Sequence, residues 1–257
     1  MVNQEQNPPQ QEQPFVAAKQ VGFNLEDIIL NPNNKVALLY PEHNNKDHFK
    51  CVFDFIYKCC LRKPFTKSSN MYKEYLTEFW YSAKALENSK VYFSTPTGGI
   101  YGEIGVNTFR NAIGTHYLPH SSEYVAPPSI DIVRLWFETI RYGEGVTTKG
   151  TLKKSLLPPR WRLLMAQVIQ CLGGKTVGFD QITNKEAIIL YSLANRININ
   201  YANIFWEDII IKLNKKHREK VVRYTRFLSL LMMHKMKEGY GDGELTIYPS
   251  QVFSVNK

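Results

Sequence analysis

Apolar residues along this chain recur mostly at steps of three and four, the spacing that gathers them on one face of an α-helix. From Asp47 onward, Phe49, Val52, Phe53, Ile56, Cys59 and Cys60 form such a stripe and predict a helix ending near Leu61, with Pro64 blocking its continuation. Ser69 is placed to cap a second helix whose buried face is Tyr72, Tyr75, Leu76, Phe79, Trp80, Ala83 and Leu86. Then the period changes. Val91–Phe93 and Ile100–Ile104 flank Thr-Pro-Thr-Gly-Gly, which predicts a β-hairpin over 90–105. Helical spacing returns from Asn107 to Ile113, stopped by Gly114, and again from a Ser129 cap to Tyr142, with Gly143 just past the end. Pro158-Pro159 opens the next helix and Gly173-Gly174 closes it. Thr183-Asn-Lys-Glu186 is a capping box for a helix ending around Asn195, Asn200 caps 201–213, and Thr225 caps a helix ending before Gly239. Trp80, Trp136, Trp161 and Trp206 fall on different predicted helices and read as core anchors.

The expected fold class is therefore mainly α: a single multi-helix domain over 46–238 with one small β-hairpin, a disordered N-terminal tail and an extended C-terminal tail. Residues 1–14 hold five Gln, two Asn, three Pro and two Glu, with almost nothing to bury. The rest of the tail, to residue 45, has apolar patches separated by Asn31-Pro-Asn-Asn34 and is expected to dock loosely. Residues 239–257 carry two strand-like runs, Leu245–Tyr248 and Val252–Val255, with no obvious partner, so the chain reads as cut from a longer protein there. No apolar run approaches the roughly 18 residues of a membrane span, and the N-terminus lacks the basic and apolar regions of a secretory signal. Four cysteines in 257 residues do not make a disulfide framework. A nuclear or cytoplasmic setting with reduced thiols follows.

Charge changes the picture more than composition does. Residues 149–237 hold 17 Lys and Arg against 5 Asp and Glu, a net of +12, while the rest holds 15 against 18, a net of −3. The whole excess of +9 comes from this stretch. The basic positions are Lys153, Lys154, Arg160 and Arg162, then Lys212, Lys215, Lys216, Arg218, Lys220, Arg223 and Arg226. A run of charge is most often just a solvated face. The scarcity of balancing acids here favours a strip that contacts the phosphates of nucleic acid, with little regard for base sequence. Ile209, Ile210 and Leu213 would face the core, leaving Lys212, Lys215, Lys216, Arg218, Lys220 and Arg223 toward solvent.

Chemical motifs give less. Gly174-Lys175-Thr176 matches the end of a phosphate-binding loop, but Ile169 stands where that loop needs glycine, and a helix rather than a strand precedes it. Gly98 to Gly105 lacks the dinucleotide-binding order. His43 with His48, and His116 with His120, have metal-compatible spacing, yet no C-x-x-C occurs anywhere. Cys51, Cys59 and Cys60 read as small core residues. The carboxylates Asp54, Asp131, Asp180, Glu207 and Asp208 mostly fall on predicted helices or at their starts, without the strands that would converge them on metal. The expectation is no enzyme activity, no metal, no cofactor and no small-molecule substrate.

Several segments resemble a group of plant transposable-element proteins, the retrotransposon-associated open reading frames. They are Tyr72–Tyr81, Val91–Thr95 before Val106–Arg110, Leu157–Arg162, Thr183–Ala187 and Arg223–Leu231, and together they cover roughly residues 47–235. Where relatives often carry Tyr-Pro/Gly-Arg near the last helix, this chain has Tyr224-Thr-Arg226. The resemblance implies a transposon origin and a mostly helical domain; it carries no active site over. The reading it supports is a non-catalytic module of a mobile element, Gag-like or accessory, that contacts nucleic acid and self-associates. The alternatives are a transposase or integrase fragment without its catalytic residues, and a relic open reading frame.

Overall fold

The computed structural model of the chain describes residues 27–37, 39, 46–115, 123–143, 145–146, 150–216 and 219–254. The Gln-rich residues 1–14, His43, His116, His120 and Arg218 lie outside them. The fold is mainly α.

Strand β1 (Ile29–Leu30) comes first, then helices α1 (Lys46–Lys58) and α2 (Arg62–Thr66). Pro64 does not end helical structure; it sits in the first turn of α2, where its missing N–H has no helical partner to lose. Strand β2 (Met71–Tyr72) leads into α3 (Lys73–Ser82), so the N-cap is Tyr72 in extended backbone rather than Ser69. Leu86 falls beyond α3 and is exposed. Strands β3 (Lys84–Ala85), β4 (Val91–Thr95) and β5 (Ile100–Ile104) form an antiparallel sheet in that order. Helix α4 (Val106–Ile113) stops where Gly114 turns left-handed at φ 68°. Helix α5 (Ile130–Thr139) starts at Ser129, whose Oγ accepts from the Ile132 N–H, but it ends short of Tyr142, and Arg141 rather than Gly143 takes the left-handed turn.

Strand β6 (Leu152–Lys153) pairs with β7 (Gln181–Ile182) on either side of α6 (Pro159–Gln167), which runs on as a π-turn over Val168–Leu172. Helix α7 (Asn184–Ala194) has the full Thr183–Glu186 capping box, and α8 (Tyr201–Leu213) is capped by Asn200. Strand β8 (Val221–Val222), helix α9 (Thr225–Met236) and strand β9 (Ile247–Tyr248) complete the order.

Helix α9 is the centre. Every residue from Thr225 to Met232 is buried, as expected of a helix wrapped on all sides. It packs on α3 and α4, and α4 in turn packs on α8. Phe109 of α4 joins the helices, its ring 5.2 Å from Trp206 and 6.1 Å from Phe227. Trp80 and Trp206 are fully buried, whereas Trp136 and Trp161 meet edge-on at 5.2 Å at the border of the core. The cysteines are not uniformly core residues: Cys51 is exposed, Cys59 and Cys60 are half-buried and Cys171 is buried.

The segments expected as loose tails are built into this body where they are described. Strand β1 pairs in parallel with β8, and Ile28, Leu30, Asn31, Asn34 and Ala37 are buried. Strand β9 pairs antiparallel with β2, Val252 bridges Val36, and Phe253 is buried. Two-residue pairings of this kind leave almost no periodic trace in a sequence.

Arg226, in the first turn of α9, is completely buried. Its guanidinium donates to four backbone carbonyls: Asn34 (3.3 Å), Lys67 (2.7 Å), Pro64 (2.5 Å) and Cys171 (2.6 Å). Burial pulls its pKa down to about 10, which leaves it cationic at neutral pH. Thr225 does not cap α9; its Oγ1 donates to the Asn31 carbonyl at 2.8 Å. The residue before the helix is Tyr224, in left-handed backbone at φ 56°. Removing the guanidinium would take this donor from all four inward carbonyls, leaving Cys171 with only the Asn34 side-chain amide. Arg226→Met, of similar length, should destabilise the protein by about 3–5 kcal/mol despite the apolar replacement. Urea unfolding checks this, and a loss below about 1 kcal/mol would show that the carbonyls find other partners.

Candidate nucleic-acid interface

The basic residues divide by where their side chains end. Lys153 stands exposed on β6, and the neighbouring Lys154 is half-buried, its N–H donating to the Asp180 carbonyl at 2.6 Å. Asp180 itself is occupied by Ser155, accepting from its N–H at 2.8 Å and its hydroxyl at 2.9 Å. Arg160 and Arg162 are exposed on the first turn of α6. Arg160 Nε reaches the His48 carbonyl at 3.2 Å, and Arg162 folds back on the Leu157 carbonyl through Nε and Nη2. These four gather where β6 meets the start of α6.

The second basic stretch does not form one solvent-facing strip. Lys215 is exposed and Lys212 half-buried at the end of α8. Lys216 instead turns inward, 5% exposed, and its ammonium donates to the carbonyls of Tyr81 (3.0 Å) and Ala83. Arg223 is half-buried; two of its nitrogens grip Glu219 at 2.9 and 2.7 Å and a third donates to the Gly174 carbonyl. Lys220 pairs with Asp27 at 2.9 Å on the surface. Arg226 is the buried centre already described. Lys216, Arg223 and Arg226 are thus structural, each donating to a backbone carbonyl within the fold.

Between the two stretches lies a cluster in which cations and acids cancel. Lys185, at the start of α7, is 2.8 Å from the Asp208 carboxylate of α8, and the Tyr224 hydroxyl donates to the same carboxylate at 2.5 Å. Burial lowers the Lys185 pKa against the pull of Asp208. Burial alone would raise the Asp208 carboxyl, but the charge of Lys185 and the hydrogen bonds from Lys185 and Tyr224 outweigh it and hold the carboxyl below its ordinary value. Burial, then Asp208, pushes the Tyr224 phenol well up, so it stays a donor. Lys175 closes the cluster on Glu186 at 2.9 Å.

Gly173 and Gly174 prove to be packing residues. A Cβ on Gly173 would strike the Ile169 carbonyl, and one on Gly174 would overlap the Tyr224 ring. The loop wraps an aromatic ring, and its carbonyls accept from Asn31, Asn34 and Arg223. Of the other carboxylates, Glu207 is held by Asn203 at 2.6 Å, and Asp131 is exposed in the first turn of α5. Among the described residues no three His, Cys, Asp or Glu side chains come close enough to hold a metal ion. A separate cleft of about 380 Å³ opens between α1 and the α7–α8 connection, lined by Cys51, Phe55, Cys59, Leu193, Arg196 and Tyr201. Burial and then the adjacent Cys60 push the Cys59 thiol up to about 12, which keeps it protonated and unreactive at neutral pH.

The chain matches no protein-family model, no curated protein and no solved structure.

Gly174→Ala should cost about 2 kcal/mol or more, since the Tyr224 ring is fixed by Asp208 and cannot step aside; a thermal or urea melt within about 0.5 kcal/mol of the parent would contradict that packing. Lys216 supplies a pH test. Burial, with Lys84 nearby, lowers its pKa from 10.5 to about 8. Below pH 8 both folded and unfolded chains carry this proton, so its contribution is constant. Between about pH 8 and 10.5 the unfolded chain holds more protons, so stability should rise with pH, by up to about 1.4 kcal/mol per unit. Lys216→Met lacks this proton. The stability of the wild type minus that of Lys216→Met should be flat below pH 8 and climb above it, whereas parallel curves would refute a buried ammonium.

Proposed function

We propose that the protein is a non-catalytic module of a plant mobile genetic element, Gag-like or accessory, that contacts nucleic acid without strong sequence preference. The observation that carries this reading is the set of basic side chains that end at the surface: Lys153, Lys154, Arg160 and Arg162 at β6 and α6, with Lys212 and Lys215 at the end of α8. The pairs Lys175–Glu186, Lys185–Asp208 and Arg223–Glu219 are neutral and add nothing to the chain's excess of +9, of which Lys216 and Arg226 hold two charges inside the fold. Phosphate contacts made by flexible lysines carry affinity but no base code. The mobile-element origin is supported by the six resembling segments.

Self-association belongs to the same proposal, and its best surface is α5, where Ile132 and Leu135 stand exposed on successive turns. Among the described residues no helix is long and apolar enough to cross a membrane. A nuclear or cytoplasmic setting suits the contact proposed.

A titration of fluorescent DNA and RNA oligonucleotides at several salt concentrations tests the reading. Affinity should fall steeply with salt, with similar values for unrelated base sequences. Replacing Lys153, Lys154, Arg160 and Lys215 with Gln should weaken binding and flatten the slope by roughly 0.7–0.9 for each phosphate that is no longer neutralised. Lys216 and Arg226 are left intact because they hold the fold. A parent protein that binds no better than this variant at low salt would reduce the basic residues to a solubilising surface.

A further inference from the structure

The three-stranded sheet turns one face inward and one to solvent. Val91, Phe93 and Thr95 of β4 and Ile104 of β5 are buried, with the Phe93 ring 5.1 Å from Phe79 of α3. By the two-residue alternation of strands, Tyr92 and Ser94 of β4 and Tyr101 and Glu103 of β5 face out. Tyr92 is 40% exposed and Tyr101 is 65% exposed. Tyr92 pairs with Glu103 and Tyr101 with Ser94, so the two rings are diagonal neighbours across adjacent strands, roughly 7–8 Å apart at the backbone. Glu103 is neutralised by Lys90 at 3.1 Å. On the other side of β4, Lys84 of β3 pairs with Tyr92 and is exposed.

This face adjoins the basic end of α8. The Lys216 ammonium donates to the carbonyls of Tyr81 and Ala83, which lead into β3, and the Trp206 Nε1–H of α8 donates to the Ser89 carbonyl between β3 and β4 at 2.7 Å. Lys84 acts electrostatically on Lys216, and exposed Lys215 precedes Lys216 in the chain, so basic residues gather at the β3 side of the sheet.

We propose that the outer face of β3–β4–β5 is a stacking platform for single-stranded nucleic acid, in which Tyr92 and Tyr101 take unpaired bases while Lys84 and Lys215 meet the adjoining phosphates. The proposal rests on the nucleic-acid reading above and names its substrate class. Charge complementarity selects a polyanion, and the aromatic pair selects one whose bases are free. Bases inside a duplex are already stacked and cannot reach the rings, whereas single-strand binders combine a basic groove with aromatic platforms.

Fluorescence anisotropy with the full chain tests it, using a fluorescein-labelled single-stranded oligothymidine, an abasic strand of the same length and a duplex. Tyr92→Ala/Tyr101→Ala should lose roughly tenfold or more in affinity for the single strand, with the salt slope and duplex affinity unchanged. Tyr92→Phe/Tyr101→Phe keeps the ring faces and should bind within about twofold of the parent. The abasic strand should bind parent and alanine variant alike. An alanine variant that binds single strands like the parent, while both remain salt-dependent, overturns the platform and leaves the charge reading standing. A parent protein that binds neither strand nor duplex at low salt overturns both. Equal losses for duplex and single strand would mark the tyrosines as general contacts and also refute the platform.

Discussion

A guanidinium carries a full charge and five N–H donors, and burying it is tolerable only where acceptors surround it. Arg226 places four of its donors on backbone carbonyls, drawn from residues 34, 64, 67 and 171. Its position makes the arrangement more demanding, because the N-terminal turn of a helix repels cations. The carbonyls that offset this come from helix ends and a loop, which need donors in turn. The π-turn that ends α6 presents the carbonyls of Cys171, Gly173 and Gly174, which no further helix can satisfy. Asn34 donates to Cys171 and accepts from the Phe227 N–H, while Asn31 donates to Gly174 and Lys175 and accepts through its carbonyl from Thr225. One small knot thus fixes the end of α6, the start of α9, the α2 turn and the 31–34 loop against each other.

That knot accounts for the electrostatics that charge counting misjudges. Seven Lys and Arg lie between 212 and 226. Arg226 and Lys216 are bound to carbonyls inside the fold, Arg223 to Glu219 and Gly174, and Lys220 to Asp27. A basic run can therefore satisfy internal acceptors rather than a ligand. The surface charge shifts to residues that the sequence scatters: Lys153, Lys154, Arg160 and Arg162 at one edge, Lys212 and Lys215 at another, with Lys84 from a different part of the chain beside them.

Helix starts and stops were legible where the signal is local. Thr183–Glu186 and Asn200 close their hydrogen bonds within a few residues, and Gly114 needs only its own left-handed backbone. Caps failed where the hydroxyl has a distant partner: Thr225 turns to Asn31, and Tyr224 takes a left-handed conformation uncommon for so large a residue. The docking of β1 and β9 rests on pairs of two residues each, too short for a period. Of the basic residues, Arg226 left one clue, a single cation inside Thr-Arg-Phe-Leu-Ser-Leu-Leu, a run otherwise suited to burial all round. Lys216 left none, since nothing in Asn-Lys-Lys-His distinguishes the lysine that turns inward. The outward place of Tyr92 was readable from the alternation of Val91-Tyr-Phe-Ser-Thr95, and that of Tyr101 from Ile100-Tyr-Gly-Glu-Ile104, once their inner face was known.

Lys216 links structure to the proposed contact. An ammonium held by the carbonyls of Tyr81 and Ala83 ties the end of α8 to the approach of β3, and that tie is short and buried. A flexible join would leave the basic end of α8 and the tyrosine face free to drift, and each encounter with a polyanion would have to order them again at an entropic cost. With the join made inside the fold, the backbone at Lys215 is held to the approach of β3 before any partner arrives, which is the preorganisation that weak, sequence-tolerant contacts need in order to act together. The lysine that turns away from the surface thereby fixes the position of the one that remains on it.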